Sequence, residues 1–323
     1  MTNQNHLLGS KEASEALIRE LYLDLRVRIN QWASVTMQTA QARMGYVGQH
    51  LVSVVTGHPG GRSGARGKDL VIAPNRFAEI KTCYRVDQLG HCNKCNAAVA
   101  AVETACPACG SSDIDRKDDS KWLIGIRNDD EFKAILDPEH YYLVLFDFAD
   151  LADPTQIRAS IWRVDPASAG FALCMVDYYL NIRSNSTSKA PFNLWPYSLK
   201  FDLMKPVLVY QSLIDVDTSD IATQVFPPTE VVASMAPLVE YSSSRNLTLD
   251  TANLLAGRLG LAASSTRAKA VRLEEIQREI DAKSISDDAV ADALAWAMYA
   301  PVVSGKLDDI PTGLRERIRV LVA

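Results

Sequence analysis

Cys92-Asn-Lys-Cys95 and Cys106-Pro-Ala-Cys109 stand ten residues apart, and no other stretch of the 323-residue chain restricts the local fold as tightly. A Cys-x-x-Cys pair turns two thiolates toward one point from a tight knuckle, and two knuckles complete a closed, tetrahedral four-sulfur site for zinc. The intervening NAAVAAVETA is too short and too apolar to fold alone, so the ion is expected to supply much of the local folding energy. The alternative is a disulfide or redox pair. Doubled knuckles are redundant for redox work, and in a reducing cytosol four cysteines within eighteen residues favour a metal. Four thiolates leave no open position for water, so the site is expected to be structural. Cys83 and Cys174 lie in apolar runs and are expected in the core, with His91 exposed.

The rest of the chain must bury a large apolar content, 47% of its residues, in one elaborated domain or two modest ones. No apolar run approaches the ~20 residues of a membrane span. The start MTNQNHLLGSKE lacks the features of a secretory signal, so a cytoplasmic location is expected. A net charge of −5 gives no global attraction to nucleic acid, and any such contact must rest on local basic patches. No GxxxxGK[ST] loop appears, which argues against ATP-driven action, and the five histidines form no set with a serine or cysteine nucleophile.

Leu17, Leu21 and Leu25, then Val47, Leu51, Val54 and Val55, predict two helices that stop at Gly57-His58-Pro59. Leu70 to Ile72 and Phe77 to Lys81 flank a turn and predict a hairpin. Beyond Asp113, WLIGI, YYLVLFDFA, IRASIWRV, FALCMVDYYLNI and PVLVYQSLI read as strands, with DDEFKAIL a short helix. From Pro228 onward the pattern is mostly helical. The expectation is an α/β core over residues 1–227, with the zinc ribbon inserted at about 90–112, and a helical subdomain over 228–323. Within that subdomain LLAGRLGLAASSTRAKAVRLEEI resembles a helix-turn-helix, with Gly260 at the turn and Ser264, Ser265, Thr266, Arg267 and Lys269 opening the second helix. Plain helical packing or a dimer contact is the alternative.

The hairpin GKDLVIAPNRFAEIKTC carries charges that an ordinary buried hairpin does not need. Strand side chains alternate, so Glu79 and Lys81 share one face while Ala78 and Ile80 face the core. The hairpin brings Asp69 near Glu79, and two carboxylates forced together repel unless a cation sits between them. A divalent ion with oxygen ligands, Mg2+, resolves the conflict, with the Ile80 carbonyl as a further ligand and Lys81 beside a water. Such an array suits phosphodiester hydrolysis. A surface hairpin with an ordinary Glu-x-Lys ion pair is the other reading of these residues.

GKDLV followed by AEIK resembles the PD-(D/E)XK nuclease core of type II restriction endonucleases, with Asp69, Glu79 and Lys81 on the motif positions and Lys68 where the proline would stand. Within that superfamily the chain is similar to the MamI-type enzymes. The resemblance implies a mixed sheet flanked by helices and Mg2+-dependent, site-specific cleavage of double-stranded DNA. Family members often add an acid on the preceding helix; here Gln49 holds the matching place, or Glu20 on the earlier helix substitutes. A repair or junction-resolving nuclease, and a zinc-containing DNA-binding regulator without catalysis, remain the rival functions. As a duplex has two strands, a homodimer is expected.

Two segments are candidates for DNA contact. One is the glycine-rich loop with Arg62, Arg66 and Lys68, beside Asp69, for which a plain linker is the alternative. The other spans residues 183–205, where Arg183, Asn185, Ser186, Ser188, Lys189, Asn193 and Lys200 mix with Phe192, Trp195 and Tyr197; the alternative is that these aromatics only anchor the loop on the core.

Overall fold

The computed structural model describes residues 4–36, 45–61, 68–100, 103–151, 153–183 and 190–323, and the chain divides into two compact units. One comprises residues 1–122, 140–163 and 207–231, the other residues 123–139, 164–206 and 232–323.

The first unit opens with α1 (Lys11–Ile18), which passes through a π-helical turn, Arg19–Leu23, into α2 (Asp24–Thr36), followed by α3 (Gly45–Thr56). Ser10 starts α1 by accepting the Ala13 N–H at 3.1 Å, satisfying a donor that has no partner inside the helix. Gly57 ends α3 at φ 76°, a backbone region that suits glycine. Ile18, Tyr22, Leu51, Val52 and Val55 form the inner faces of these helices and are buried.

Those faces cover one side of a mixed sheet. β1 (Leu70–Ala73), β2 (Arg76–Tyr84), β3 (His140–Asp150), β4 (Asp153–Val164), β5 (Val207–Asp215) and β6 (Asp220–Val225) lie across it in that order. β1 and β2 are antiparallel, β2 and β3 parallel, and β5 is antiparallel to both β4 and β6. Alternation along β2 sends Ala78 and Ile80 into the core with Val47, Leu51 and Val52, and leaves Glu79 and Lys81 on the other face. Parallel pairing requires a long crossover, and residues 85–139 supply it, the cysteine module included. In that module the strands Gly90–Cys92, Ala98–Val99 and Ile114–Asp115 form a small separate sheet with Gly90–Cys92 in the middle.

The second unit is mostly helical: α4 (Asp129–Leu136), α5 (Ala169–Asp177), α6 (Leu199–Leu203), α7 (Leu249–Arg258), α8 (Lys269–Lys283), α9 (Asp287–Ser304) and α10 (Thr312–Val322). Two expectations are corrected here. FALCMVDYYLNI is not a strand but α5 and the π-helical turn Tyr178–Arg183 after it. Every residue from Gly170 to Val176 is buried, so the run is apolar all round and carries no period that separates a central helix from a central strand. The start signal was Ser168, which accepts the Phe171 N–H at 3.3 Å. Ser264, Ser265, Thr266 and Arg267 do not open a second helix either: α8 begins at Lys269, and residues 259–268 form the connection. Ser264 accepts the Thr266 N–H at 3.2 Å and Thr266 that of Ala268 at 3.3 Å, local bonds that compete with helix formation. Arg272 fastens the connection, donating to Asn253 Oδ1 at 3.0 Å and to the Ala262 carbonyl at 2.8 Å. Among the described residues no helix is long and apolar enough to cross a membrane.

Candidate active site and metal centre

The β1–β2 hairpin turns at Pro74-Asn75, with Asn75 at φ 63°, and pairs Leu70 with Ala78. Beyond Leu70 the first strand ends, and the Asp69 side chain takes over its hydrogen bonding: Oδ2 accepts the Ile80 N–H at 3.0 Å. Behind Asp69 the segment Pro59–Gly61 runs along the outer edge of β1. The Asp69 carbonyl accepts the Gly61 N–H at 3.0 Å and the Pro59 carbonyl accepts that of Val71 at 2.9 Å. A Cβ on Gly61 would lie 1.7 Å from the Lys68 carbonyl oxygen, so only glycine permits this return of the chain. Within a strand a residue's N–H and C=O project to the same side, so the Ile80 carbonyl faces the side of β2 that Asp69 occupies.

Lys81 Nζ donates to Glu79 Oε1, both side chains lying on the face of β2 away from α3. The other Glu79 oxygen, Oε2, is buried and has no hydrogen-bond partner among the described residues. Burial pushes the Glu79 carboxyl above the usual carboxylate range; Lys81 opposes this, and the Asp69 carboxylate pushes it further up. Opposite Glu79 on β3 stands Tyr141, buried, whose hydroxyl is held well above its ordinary value by burial and then by the Glu79 and Asp69 charges. Asp69, Glu79, Lys81 and the Ile80 main chain thus meet in one cluster that Tyr141 walls on one side. Gln49 on α3 is half-buried and Glu20 is exposed, and among the described residues no hydrogen bond links either to the cluster.

The four cysteines converge. Their sulfurs all lie within 4.8 Å of one another, with Cys92 Sγ 3.6 Å from Cys109 Sγ and Cys95 Sγ 3.5 Å from Cys106 Sγ. A disulfide needs ~2.05 Å. A tetrahedron of sulfurs at ~2.3 Å from a central ion separates them by ~3.8 Å, so the set is able to hold zinc. Each knuckle closes the same way. Asn96 at φ 59° donates its N–H to the Cys92 carbonyl, and Gly110 at φ 72° donates to that of Cys106, both at 2.8 Å. Burial opposes ionisation of Cys92, but the N–H groups of Cys95 and Lys94, together with the Cys109 and Cys95 thiols, draw its thiol down to about 7. Cys83 and Cys174 are buried as free thiols, and His91 is half-buried rather than exposed, because it sits on the central strand of the module's sheet.

The family model of the MamI restriction endonuclease matches residues 31–239, a span that contains Asp69, Glu79, Lys81 and all four cysteines of the module. The chain belongs to the MamI restriction endonuclease family. A curated relative, "Type II restriction enzyme MamI" of Microbacterium ammoniaphilum, is 27% identical over 190 residues, 57% of this chain and 56% of that protein. The chain therefore spans about half the length of the curated relative it matches. No solved structure matches. Helices α7 to α10 lie beyond the MamI-family span.

Of the expected DNA contacts within the MamI-family span, Arg62, Arg66, Asn185, Ser186, Ser188 and Lys189 lie outside the described residues. Lys68 is exposed, with Nζ 4.7 Å over the Phe77 ring. Arg183 is half-buried and donates to the Arg127 carbonyl at 3.4 Å, while Asn193 is exposed. Tyr141 was not singled out in the sequence, because its place opposite Glu79 depends on a parallel register set across a long crossover. The doublet YY opening an apolar strand was the one available signal.

Proposed function

We propose that this MamI-family chain is a type II restriction endonuclease with a PD-(D/E)XK core, hydrolysing phosphodiesters in double-stranded DNA at a specific sequence with Mg2+. One observation carries the reading: Asp69, held on the Ile80 N–H, stands close enough to Glu79 to raise its carboxyl, and the buried Glu79 Oε2 has no hydrogen-bond partner among the described residues. Paired carboxylate oxygens, one of them orphaned, with a backbone carbonyl facing the same side of β2, form a hard oxygen set that fits Mg2+ and suits soft ions poorly. Asp69, Glu79 and the Ile80 carbonyl would hold the ion, which when bound lowers the pKa of a water and offsets charge on the phosphate.

The chain's own groups do the rest. The Ile80 N–H orients Asp69, so the carboxylate takes its position from the main chain of β2. Lys81, now bonded to Glu79 Oε1, is placed to turn its Nζ toward the attacking water and the phosphate oxygens once Glu79 is engaged. Buried Tyr141 keeps bulk solvent away from Glu79. The four cysteines would bind zinc and brace the crossover between β2 and β3, a structural role consistent with a closed sulfur set. Cutting both strands of a duplex is met most simply by a two-fold homodimer with one centre per strand.

The test is incubation of plasmid DNA with the purified protein in Mg2+ or in EDTA. Discrete fragments with Mg2+ alone support the reading. Cleavage confined to branched or damaged DNA would instead indicate a repair nuclease, and a gel shift with no cleavage a DNA-binding regulator.

A further inference from the structure

The second unit carries a pocket of about 440 Å3 lined by Asn193, Trp195, Tyr197, Lys200, Glu240 and Met298, among others. We infer that it receives a single base of a DNA strand, unstacked from its neighbours. The inference rests on the nuclease reading for its choice of DNA, and assigns to this surface a task that the cleavage cluster does not perform.

The local sequence builds the pocket wall by alternation. Along Phe192-Asn-Leu-Trp-Pro-Tyr197, Phe192, Leu194 and Pro196 are buried, while Asn193, Trp195 and Tyr197 emerge. Of the aromatic residues read in the sequence as either anchors or DNA contacts, Phe192 is therefore the anchor. Trp195 and Tyr197 keep 38% and 47% of their surface exposed, although both are large enough to repay burial. Tyr197 holds φ 55°, rare for an aromatic residue, and its ring lies at 79° to that of Phe201, with the centroids 6.2 Å apart. Ser198 fixes the same turn, donating to the Trp195 carbonyl at 2.7 Å and accepting the Phe201 N–H at 3.3 Å.

The chemistry of the lining selects the ligand. Trp195 and Tyr197, each partly exposed where they line the pocket, present aromatic rings, and an aromatic ring stacks on any base. The Asn193 amide offers both a donor and an acceptor, and the Glu240 carboxylate accepts, a combination that suits a base bearing an exocyclic amine, adenine or cytosine. Lys200, whose Nζ lies 5.2 Å from the centre of the Phe192 ring, adds a positive charge to the lining. Groove reading of a stacked base pair needs a protruding side chain, whereas a concave site walled by aromatics fits a base that has left the stack.

The test uses the whole 323-residue chain with its zinc retained and Mg2+ left out, so that cleavage is not expected, with the single strand dA6 as probe. Wild-type protein is expected to bind dA6 with quenching of tryptophan emission, and to bind an abasic strand of the same length at least tenfold more weakly. Trp195→Ala should weaken dA6 binding about tenfold. Trp195→Phe should abolish the quenching but hold affinity within about threefold, since a phenyl ring still stacks. Equal binding of dA6 and the abasic strand, or no binding of dA6, overturns the inference without recourse to any variant. The Mg2+ plasmid assay on the same preparation separates the two claims: fragments without dA6 binding sink the pocket alone, and base-dependent dA6 binding without fragments sinks the nuclease reading alone.

Discussion

The Asp69 carboxylate accepts the backbone N–H of Ile80 at 3.0 Å, so an acid placed just outside one strand is positioned by the main chain of the next. Charge and position can therefore be separated. Asp69→Asn keeps an oxygen for the Ile80 N–H but removes the charge. It is expected to fold as wild type and lose cleavage by roughly 10²- to 10³-fold. Asp69→Ala also strands the Ile80 donor and should lower stability by about a further 1 kcal/mol. Plasmid cleavage and thermal unfolding of the two variants side by side measure both effects.

Lys81→Ala is expected to abolish cutting while leaving the gel-shift affinity for DNA largely intact. Its Nζ is bonded to Glu79 Oε1, so the change acts inside the cluster and not on a DNA-holding surface. Cleavage retained by the purified variant would remove Lys81 from the mechanism.

The cysteine module has almost no core of its own: Cys92, Val99 and Cys106, with Ala97 and Ile114 packed against them. An apolar cluster this small cannot offset the entropy of ordering the segment, so metal binding and local folding should be one event. Cys92→Ser is expected to lose the bound zinc and open the stretch between Gly90 and Asp115 to protease. Metal content by mass spectrometry and limited proteolysis check this; a variant with the wild-type zinc content would contradict the four-cysteine site.

What the sequence made legible were features encoded over a few residues. Cys-x-x-Cys spacing, the alternation of Ala78, Glu79, Ile80 and Lys81, and the turn at Pro74-Asn75 each act within one element, and the structure carries them in the places expected. Features that depend on distant register were not legible. Glu79 meets Tyr141 because β2 and β3 run parallel across residues 85–139, and no local pattern announces that pairing. The misreading of α5 has another cause. Where packing surrounds an element on all sides, as for Phe171 to Val176, hydrophobicity loses its period and only the Ser168 cap distinguishes helix from strand.

Gly48 shows how closely α3 lies on β2, since a Cβ there would sit 2.2 Å from Thr82 Oγ1 and 2.7 Å from its Cγ2. Gly48→Ala should destabilise the first unit by about 1–3 kcal/mol through overpacking. As the obstacle is one side chain and not backbone, Thr82→Ala in the same molecule should recover much of the loss. A double-mutant cycle by chemical denaturation reads the coupling, and strictly additive effects would show that α3 does not press on Thr82.

Asp202 and Tyr241 give the second unit a pH dependence with a definite sign. The Tyr241 hydroxyl donates to Asp202 Oδ2 at 2.5 Å, yet burial outweighs that bond and pushes the carboxyl up to about 6. A folded-state value above the unfolded one, about 3.9, means that the fold favours the protonated acid. The contribution to stability is complete below about pH 4 and is lost as pH rises through about 6. Asp202→Asn cannot ionise, and its side-chain oxygen still accepts from Tyr241. The difference in melting temperature, variant minus wild type, should therefore be near zero at about pH 4, climb through about pH 6 and level off above about pH 7. A difference that stays flat across that window would show that burial does not govern Asp202.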